Sequence, residues 1–334
     1  MEPDAKVLAI IVARIGDTLL VTPALRAIRQ AIPDGHLTCL AHPKRAEVLR
    51  HLDFIDTLGT ITKYTAFWQG RLGGKQWDYA VVYGHDQGLI QFALRVADQV
   101  VAFAPRNDFP NQALWKTVPP PVKPMHAVYE RLLLAEALGI STDNPRLAYQ
   151  VTQDEATQAN SWLKQHLPPS AAPLIGLQLA SFPSKAYRDW PTVNFVQLGR
   201  RILDTRPDTY FLILGGPDDK DVAEAVTKEL APHAQNIAGC FSLRESAALM
   251  HRLDLYIGLD TGPTHLAGAL GIPMVAMYHC RHRGCHLAPL QHEHLHVIEH
   301  PATDAECSAQ TAMSAIGVDQ VLAGALEMLD RGSN

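Results

Sequence analysis

The sequence predicts an α/β protein with two doubly wound parallel sheets, on three observations. The apolar runs at residues 6–13 and 255–259 read as strands covered on both faces, and residues 174–179 begin a second alternating series. Between such runs, apolar residues recur at helical spacing, as at Leu20, Ala24, Ala27, Ile28 and Ala31. This alternation is laid out twice, and 334 residues exceed what one core usually serves.

Taken in order, residues 6–13 are the first expected strand and 14–18 a turn. The helix after it ends at Pro33, Asp34 and Gly35. A strand over 36–41, a short helix from His42 and Pro43 to His51, and a strand over 54–58 follow. Residues 60–76, with Phe67, Trp68, Gly70, Gly73 and Gly74, read as a loop or lid. A strand over 78–83, a helix over 87–96 and a strand over 99–103 complete the first series. Residues 104–124 are rich in proline and read as an irregular connection. A helix over 126–138 stops at Gly139, and 144–150 is the expected crossing between domains.

A helix over 154–165 precedes the second series. That series comprises a strand at 174–179, a helix after Pro191, a strand at 210–214 and a helix at 219–230. It continues with a strand at 235–238, a helix at 243–252, the strand at 255–259 and a helix that Gly271 stops. Strands at 274–278 and 294–299 end it. Val318, Val321, Leu322, Ala325, Leu326 and Leu329 then mark a terminal amphipathic helix. The expected domains are 1–152 and 153–317, two Rossmann-like halves facing across a cleft. The helix over 318–331 is expected to pack back on the first of them.

Composition narrows the function. A hydrophobic content of 47% and a charged content of 19% describe an ordinary soluble globular protein. The net charge of -5 offers no nucleic-acid signature and no polybasic membrane patch. Residues 7–13 are too few to span a bilayer, and Glu2 and Asp4 disfavour a signal peptide. The five cysteines, at 39, 240, 280, 285 and 307, are odd in number and scattered. They predict a reducing cytoplasm rather than a disulfide framework. No G-x-G-x-x-G follows the first strand, and no Walker A sequence is present.

The chemistry gathers where strands hand over to helices. Asp260, Thr261, Gly262, Pro263, Thr264 and His265 follow the strand at 255–259 without a break. Thr261 can cap the next helix and Pro263 fits its first turn. The amides of that turn can seat a phosphate. A ligand-free capped turn explains Thr261, Gly262 and Pro263, but does not ask for Asp260 and His265 as well. Gly16 and Asp17 follow the first strand. Asp17 could take a proton from an acceptor hydroxyl, with Gly16 permitting close approach, or could be an N-cap. Ser181, Ser184, Lys185 and Arg188 precede Trp190 and Pro191 and could hold a diphosphate, or face water in a solvated loop. Gly215 and Gly216 form another close-approach turn. Asp219 and Asp221 fit a D-x-D metal pattern, but acids in a helix's first turn are ordinary dipole complements. His279, Cys280, His282, Cys285 and His286 crowd into one loop whose spacing permits zinc but matches no standard ligand pattern.

Together these pieces resemble the glycosyltransferase family of the ADP-heptose:lipopolysaccharide heptosyltransferases, which have the GT-B architecture. Residues 16–25, GDTLLVTPAL, are similar to its opening G-D-x-x-x-x-x-P-A-L. Ala180 and Ser181 with Lys185, Trp190 and Pro191 are similar to its S…K-x-W-P segment. Residues 260–267, DTGPTHLA, are similar to its D-T-G-x-x-H-L-x-A signature.

The resemblance implies an inverting, metal-independent transferase with no cofactor beyond its nucleotide-sugar donor, of the ADP-heptose type. Asp17 would be the general base, with Arg14, Gly16 and Thr18 at the acceptor. Lys185 and the amides around Thr261 and Gly262 would stabilise the departing diphosphate. Ser181, Arg188, Asp260, Pro263 and His265 would complete the donor site, and Gly215, Gly216, Ser242 and Leu243 the nucleoside pocket. Either Lys185 or Arg188 could hold the diphosphate, since Lys185 stands five residues before Trp190. The implied acceptor is a saccharide of lipopolysaccharide core or another surface glycan. The implied place is the cytoplasm, with peripheral contact at the inner membrane and no nucleic-acid partner. A silent nucleotide-sugar-binding protein and a nucleotide-sugar epimerase are the alternatives.

Overall fold

The structure is a computed structural model that describes residues 1–69, 74–104 and 113–332. The chain divides into two compact units, Met1–Gln150 and Val151–Asn334.

In the first unit β1 (Lys6–Ile11) is followed by α1 (Ile15–Leu19) and α2 (Thr22–Ala31). Then come β2 (His36–Ala41), a 3-10 turn at Ala46–Leu49, β3 (Thr57–Thr60), α3 (Thr65–Trp68) and β4 (Trp77–Val82). The unit closes with α4 (Gln87–Val96), β5 (Ala97–Phe103), β6 (Lys116–Val118) and α5 (Ala127–Ala137). All strand pairs are parallel, in the order β3-β2-β1-β4-β5-β6. Leu8 and Ile10 of β1 point into a core with Ala80, Val82, Ile90, Phe92 and Val100, all buried.

The second unit runs α6 (Gln153–His166), β7 (Leu174–Gln178), a 3-10 turn at Pro183–Arg188, α7 (Thr192–Thr205), β8 (Tyr210–Leu214) and α8 (Lys220–Glu229). It continues with β9 (Ala234–Asn236), α9 (Leu243–Met250), β10 (Leu255–Leu259), α10 (Gly262–Leu270), β11 (Met274–Tyr278), α11 (Gly284–Leu287), β12 (Leu295–Glu299) and α12 (Val318–Gly332). Its sheet is also wholly parallel, in the order β12-β11-β10-β7-β8-β9. Counted from the first strand of each unit, the two orders are the same. In each, the order reverses beside the first strand, at β1/β4 and at β7/β10. A reversal of this kind opens a crevice at the carboxyl ends of the strands, where α/β proteins bind ligands.

Several elements differ from the sequence expectations. The turn expected at 14–18 is itself largely helical, as α1. The third strand is Thr57–Thr60 rather than 54–58, because it pairs with Thr38–Ala41 of β2. The expected lid contains α3, while its Gly70 and Gly73 lie outside the described residues. The proline-rich connection contributes β6, which pairs with the end of β5.

The terminal helix does not belong to the first unit. Val321, Ala325, Met328 and Leu329 of α12 join Val275, Met277 and Ile298 in the core of the second unit. Their spacing puts them on one helix face, and burial of each large side chain is worth roughly 1.5–3 kcal/mol. The cysteine expectation is also corrected: Cys280 and Cys307 are joined as a disulfide, and Cys39, Cys240 and Cys285 are free. Among the described residues, no helix is long and apolar enough to cross a membrane.

Candidate active site

In the first unit, the chain leaves β1 and enters α1 within a few residues. Arg14 is the N-cap by position, and Asp17 lies in the first turn. Asp17 is therefore not a cap, and that alternative falls away. Its side chain is 46% exposed, with Oδ1 3.4 Å from Arg131 Nη2. Arg131, on α5, also meets Glu130 Oε1 at 3.2 Å. A guanidinium thus fixes one side of the carboxylate and leaves the rest open to a ligand. Arg131 was not visible as a site residue in the sequence, because it stands 114 residues from Asp17 in a helix that reads as packing. Gly16 and Thr18 are buried, and the Thr18 hydroxyl donates to the Arg14 carbonyl at 2.8 Å. Thr18 holds the turn together. Of the three expected acceptor contacts, only Arg14 is exposed.

In the second unit, the segment after β7 and the turn after β10 are tied together. Arg188 Nη1 donates to Asp260 Oδ2 in a short charged hydrogen bond, with side chains 12% and 6% exposed. A pair so far out of water is held much more firmly than a surface salt bridge. Arg188 Nε is buried and has no hydrogen-bond partner among the described residues. Asp260 Oδ1 lies 3.8 Å from His265 Nε2, and both residues are buried.

Lys185 makes no ion pair among the described residues; its Nζ sits 5.8 Å from the centre of the Tyr187 ring. The Tyr187 hydroxyl meets His282 Nε2 at 2.7 Å, and its ring meets His279 edge-on at 5.0 Å. Burial, reinforced by Arg188, holds the His282 imidazole below its ordinary pKa. Ser181 is engaged locally. Its amide donates to Asp189 Oδ1 at 2.8 Å, and its hydroxyl stands 2.6 Å from the same oxygen and 2.8 Å from the Lys185 carbonyl. Burial raises the Asp189 carboxyl above its usual value despite these bonds. Trp190 is buried, stacks edge-on against Phe195 and donates Nε1–H to the Ile316 carbonyl at 2.8 Å.

The turn after β10 is built as the sequence implied, with one difference. Thr261 is the N-cap of α10 by position, and Pro263 lies in the first turn. The Thr261 hydroxyl, however, turns back to the Leu259 carbonyl at 3.3 Å and makes no cap bond. The Gly262 amide is thereby left to other partners, whereas Pro263 has no N–H and the Thr264 amide donates to the Thr261 carbonyl at 3.1 Å. Thr264, buried, bonds the Leu259 carbonyl and the Tyr256 hydroxyl and pins the turn to the strand. Gly271 ends the helix in a left-handed conformation, φ 71°.

Other expected donor residues have local duties. A Cβ on Gly215 would stand 2.8 Å from Asp219 Cβ, so this glycine is required by its own turn. The Gly216 amide donates to Asp219 Oδ2 at 2.7 Å, which accounts for half of the D-x-D pattern. Ser242 and Glu245 form a reciprocal cap at the start of α9, and Leu243 is half-buried. These residues lie beyond the carboxyl ends of β8 and β9, on the same sheet edge as Lys185 and Asp260. Among the described residues, the group that could hold a metal is His279, Cys280 and Cys307, whose ligand atoms lie within 4.8 Å of one another. Cys307 was not among the expected cluster, because it comes from a loop 27 residues further on.

Two parallel sheets of this order are the GT-B architecture of sugar transferases, and solved structures of that fold match the whole chain. The glycosyl transferase family 9 protein of Veillonella parvula superposes with a TM-score of 0.86 at 22% identity, covering 99% of both chains. The Escherichia coli ADP-heptose lipopolysaccharide heptosyltransferase II gives a TM-score of 0.76 at 16% identity, covering 98% of this chain and 100% of that one. The protein is a glycosyltransferase by class. It belongs to glycosyltransferase family 9 (heptosyltransferase), whose family model matches residues 104–316. Among curated relatives, lipopolysaccharide heptosyltransferase 3 of Escherichia coli is 21% identical over 283 residues, 79% of this chain and 80% of that protein. Lipopolysaccharide core heptosyltransferase OpsX of Haemophilus influenzae is 22% identical over 153 residues, and that match spans 46% of this chain and only 42% of OpsX.

Proposed function

We propose that this protein transfers a heptose or related sugar, with inversion, from an ADP-sugar to a saccharide acceptor of lipopolysaccharide core or another surface glycan. The observation that carries the reading is the Arg188–Asp260 pair, which joins the Lys185 segment to the start of α10. It gathers an ammonium and a guanidinium N–H, neither with an ion-pair or hydrogen-bond partner among the described residues, and a helix N-terminus on one sheet edge. That is the chemistry of a diphosphate seat. The nucleotide is argued from the relatives: an ADP-heptose enzyme is among the proteins of this fold.

In the proposed reaction the acceptor hydroxyl attacks the anomeric carbon of the donor. Its proton passes to Asp17 as the new glycosidic bond forms. The bond from that carbon to the diphosphate breaks on the opposite face, and the nucleoside diphosphate leaves with the electron pair. Lys185 and the amides of Thr261 and Gly262 stabilise the charge that develops there. Arg188 spans Asp260 and the diphosphate, and Asp260 positions the donor sugar. No cofactor and no metal take part in the transfer. The proposed place of action is the cytoplasmic face of the inner membrane, by peripheral contact.

The test is Asp17→Ala and Asp17→Asn. Both are expected to keep donor affinity in calorimetry and to lose turnover by roughly 10²–10⁴-fold, the usual worth of a general base. Turnover within twofold of the parent would remove Asp17 from the mechanism. A calorimetric panel of ADP-, GDP-, UDP- and dTDP-sugars tests the donor independently, and tighter binding of any non-adenine sugar would overturn that assignment.

A further inference from the structure

The loops beyond β11 and β12 converge on side chains that the transfer reaction does not use. His279 follows β11 and is fully buried. Its Nε2 lies 2.9 Å from the Thr311 carbonyl oxygen, so Nε2 carries the proton and donates it. That fixes the tautomer and leaves Nδ1 as the ring's acceptor. The lone pair accepts the Arg281 amide at 3.1 Å and stands 3.7 Å from Cys280 Sγ. Cys280 is 4% exposed, and its sulfur is bonded to that of Cys307. His300, with its ring 5.7 Å from that of His279, is anchored alike, Nε2 to the Ala312 carbonyl at 3.0 Å and Nδ1 accepting from Ala302. Two imidazoles therefore grip the segment that follows Cys307 by its carbonyls.

We propose that, once the two sulfurs are reduced, His279, Cys280 and Cys307 hold a divalent cation of the zinc class. Two thiolates and one imidazole are the ligand types such an ion prefers, and three protein ligands with one open position make a recognised tetrahedral set. An imidazole whose far N–H is held by a backbone carbonyl is oriented as metal-binding histidines usually are. The charge also closes, because two thiolates neutralise a doubly charged ion in a buried place. The arginines of the loop are engaged elsewhere: Arg283 pairs with Asp304 at 2.9 Å, and Arg281 lies over the Tyr187 ring.

The chemistry balances in two steps. A phosphine or thiol reductant gives two electrons to the disulfide and two thiols form. The ion then displaces one proton from each thiol, and the His279 lone pair passes to it from the Arg281 amide. The site cross-links the loop after β11 to the irregular chain before α12. The same loop carries His282, which meets Tyr187 beside Lys185. A water completes the tetrahedron at the open position, and binding of the cation does not depend on the proposed transfer reaction.

The experiment uses the full chain, reduced with a phosphine under argon and titrated with Co²⁺ and then Zn²⁺. One cobalt per chain is expected, with a thiolate charge-transfer band that zinc abolishes. Cys307→Ser and His279→Gln should each weaken zinc binding by about tenfold or more. Cys285→Ser and Cys240→Ser should bind as the parent does. The wild-type cobalt spectrum needs no variant to fold. A reduced parent that takes up no stoichiometric ion, or a Cys307→Ser protein that binds like the parent, overturns the site and leaves a disulfide alone.

Discussion

Lys185 and Arg188 are separated by three positions, and the structure gives them different work. Arg188 is committed to Asp260, so removing it leaves a carboxylate that is 6% exposed without its partner. An uncompensated buried charge costs about 3–5 kcal/mol. Arg188→Ala is therefore expected to lower both the melting temperature and donor affinity. Lys185 carries no ion pair among the described residues, so Lys185→Ala is expected to leave stability within about 0.5 kcal/mol while weakening donor binding. Thermal unfolding and calorimetry on the two variants check this. Equal losses of stability would refute the division of labour. The sequence held both residues open as diphosphate ligands, since Asp260 is 72 positions from Arg188 and only the fold pairs them. The local bonds of Ser181 were hidden for a different reason. Its partner Asp189 is near in sequence, but whether a serine faces a ligand or a neighbouring carboxylate is set by the 3-10 turn between them.

Helix α6 shows how an element is secured by a polar contact. Glu155 completes the cap of α6 with Thr152 and also takes Arg244 of α9 in a two-pronged pair, at 2.7 and 2.5 Å. The hydrogen bonds from Arg244 hold the Glu155 carboxyl down to about 2, below its ordinary 4.5. A depressed folded-state value means the stabilisation is present above pH 4.5 and is lost as pH falls towards 2. Glu155→Gln should flatten the acid limb of the unfolding curve across that window, as followed by circular dichroism. A parent and variant with parallel acid limbs would sink the assignment.

Glu155→Ala, which removes both hydrogen bonds from Arg244, is expected to cost about 1.5–3 kcal/mol at neutral pH. The helix itself was legible in the sequence, because a capping box is a local pattern. Its tie to Arg244 was not, because buried arginine is rare and nothing at 244 announces its partner. Strands show the same contrast. Residues 255–259 are apolar throughout and read directly as β10. Strand β3, half-exposed and only four residues long, takes its register from β2 rather than from its own pattern.

At the scale of the whole molecule, two units repeat one strand order, and each has its own core. The alternation that predicts this is strong because parallel strands are apolar on both faces. What the pattern leaves open is where the last helix goes. An amphipathic stripe at 321, 325, 328 and 329 fits either unit equally, and packing against β11, β12 and α7 decides it.

Because the diphosphate seat proposed here is made wholly by the second unit, nucleotide binding should register there first. A ligand at a hundred times its Kd stabilises the state it binds by about 2.7 kcal/mol. Amide exchange with and without ADP should therefore slow at residues 181–190 and 261–265, since local opening is what the ligand suppresses there. The amides of β1, β4 and β5 should exchange as before. Asp17→Ala should give the same protection map, because that carboxylate takes a proton and is not needed to hold the nucleotide. Protection centred on the first unit, or lost in Asp17→Ala, would place the nucleotide elsewhere and undo the assignment of Lys185 and α10.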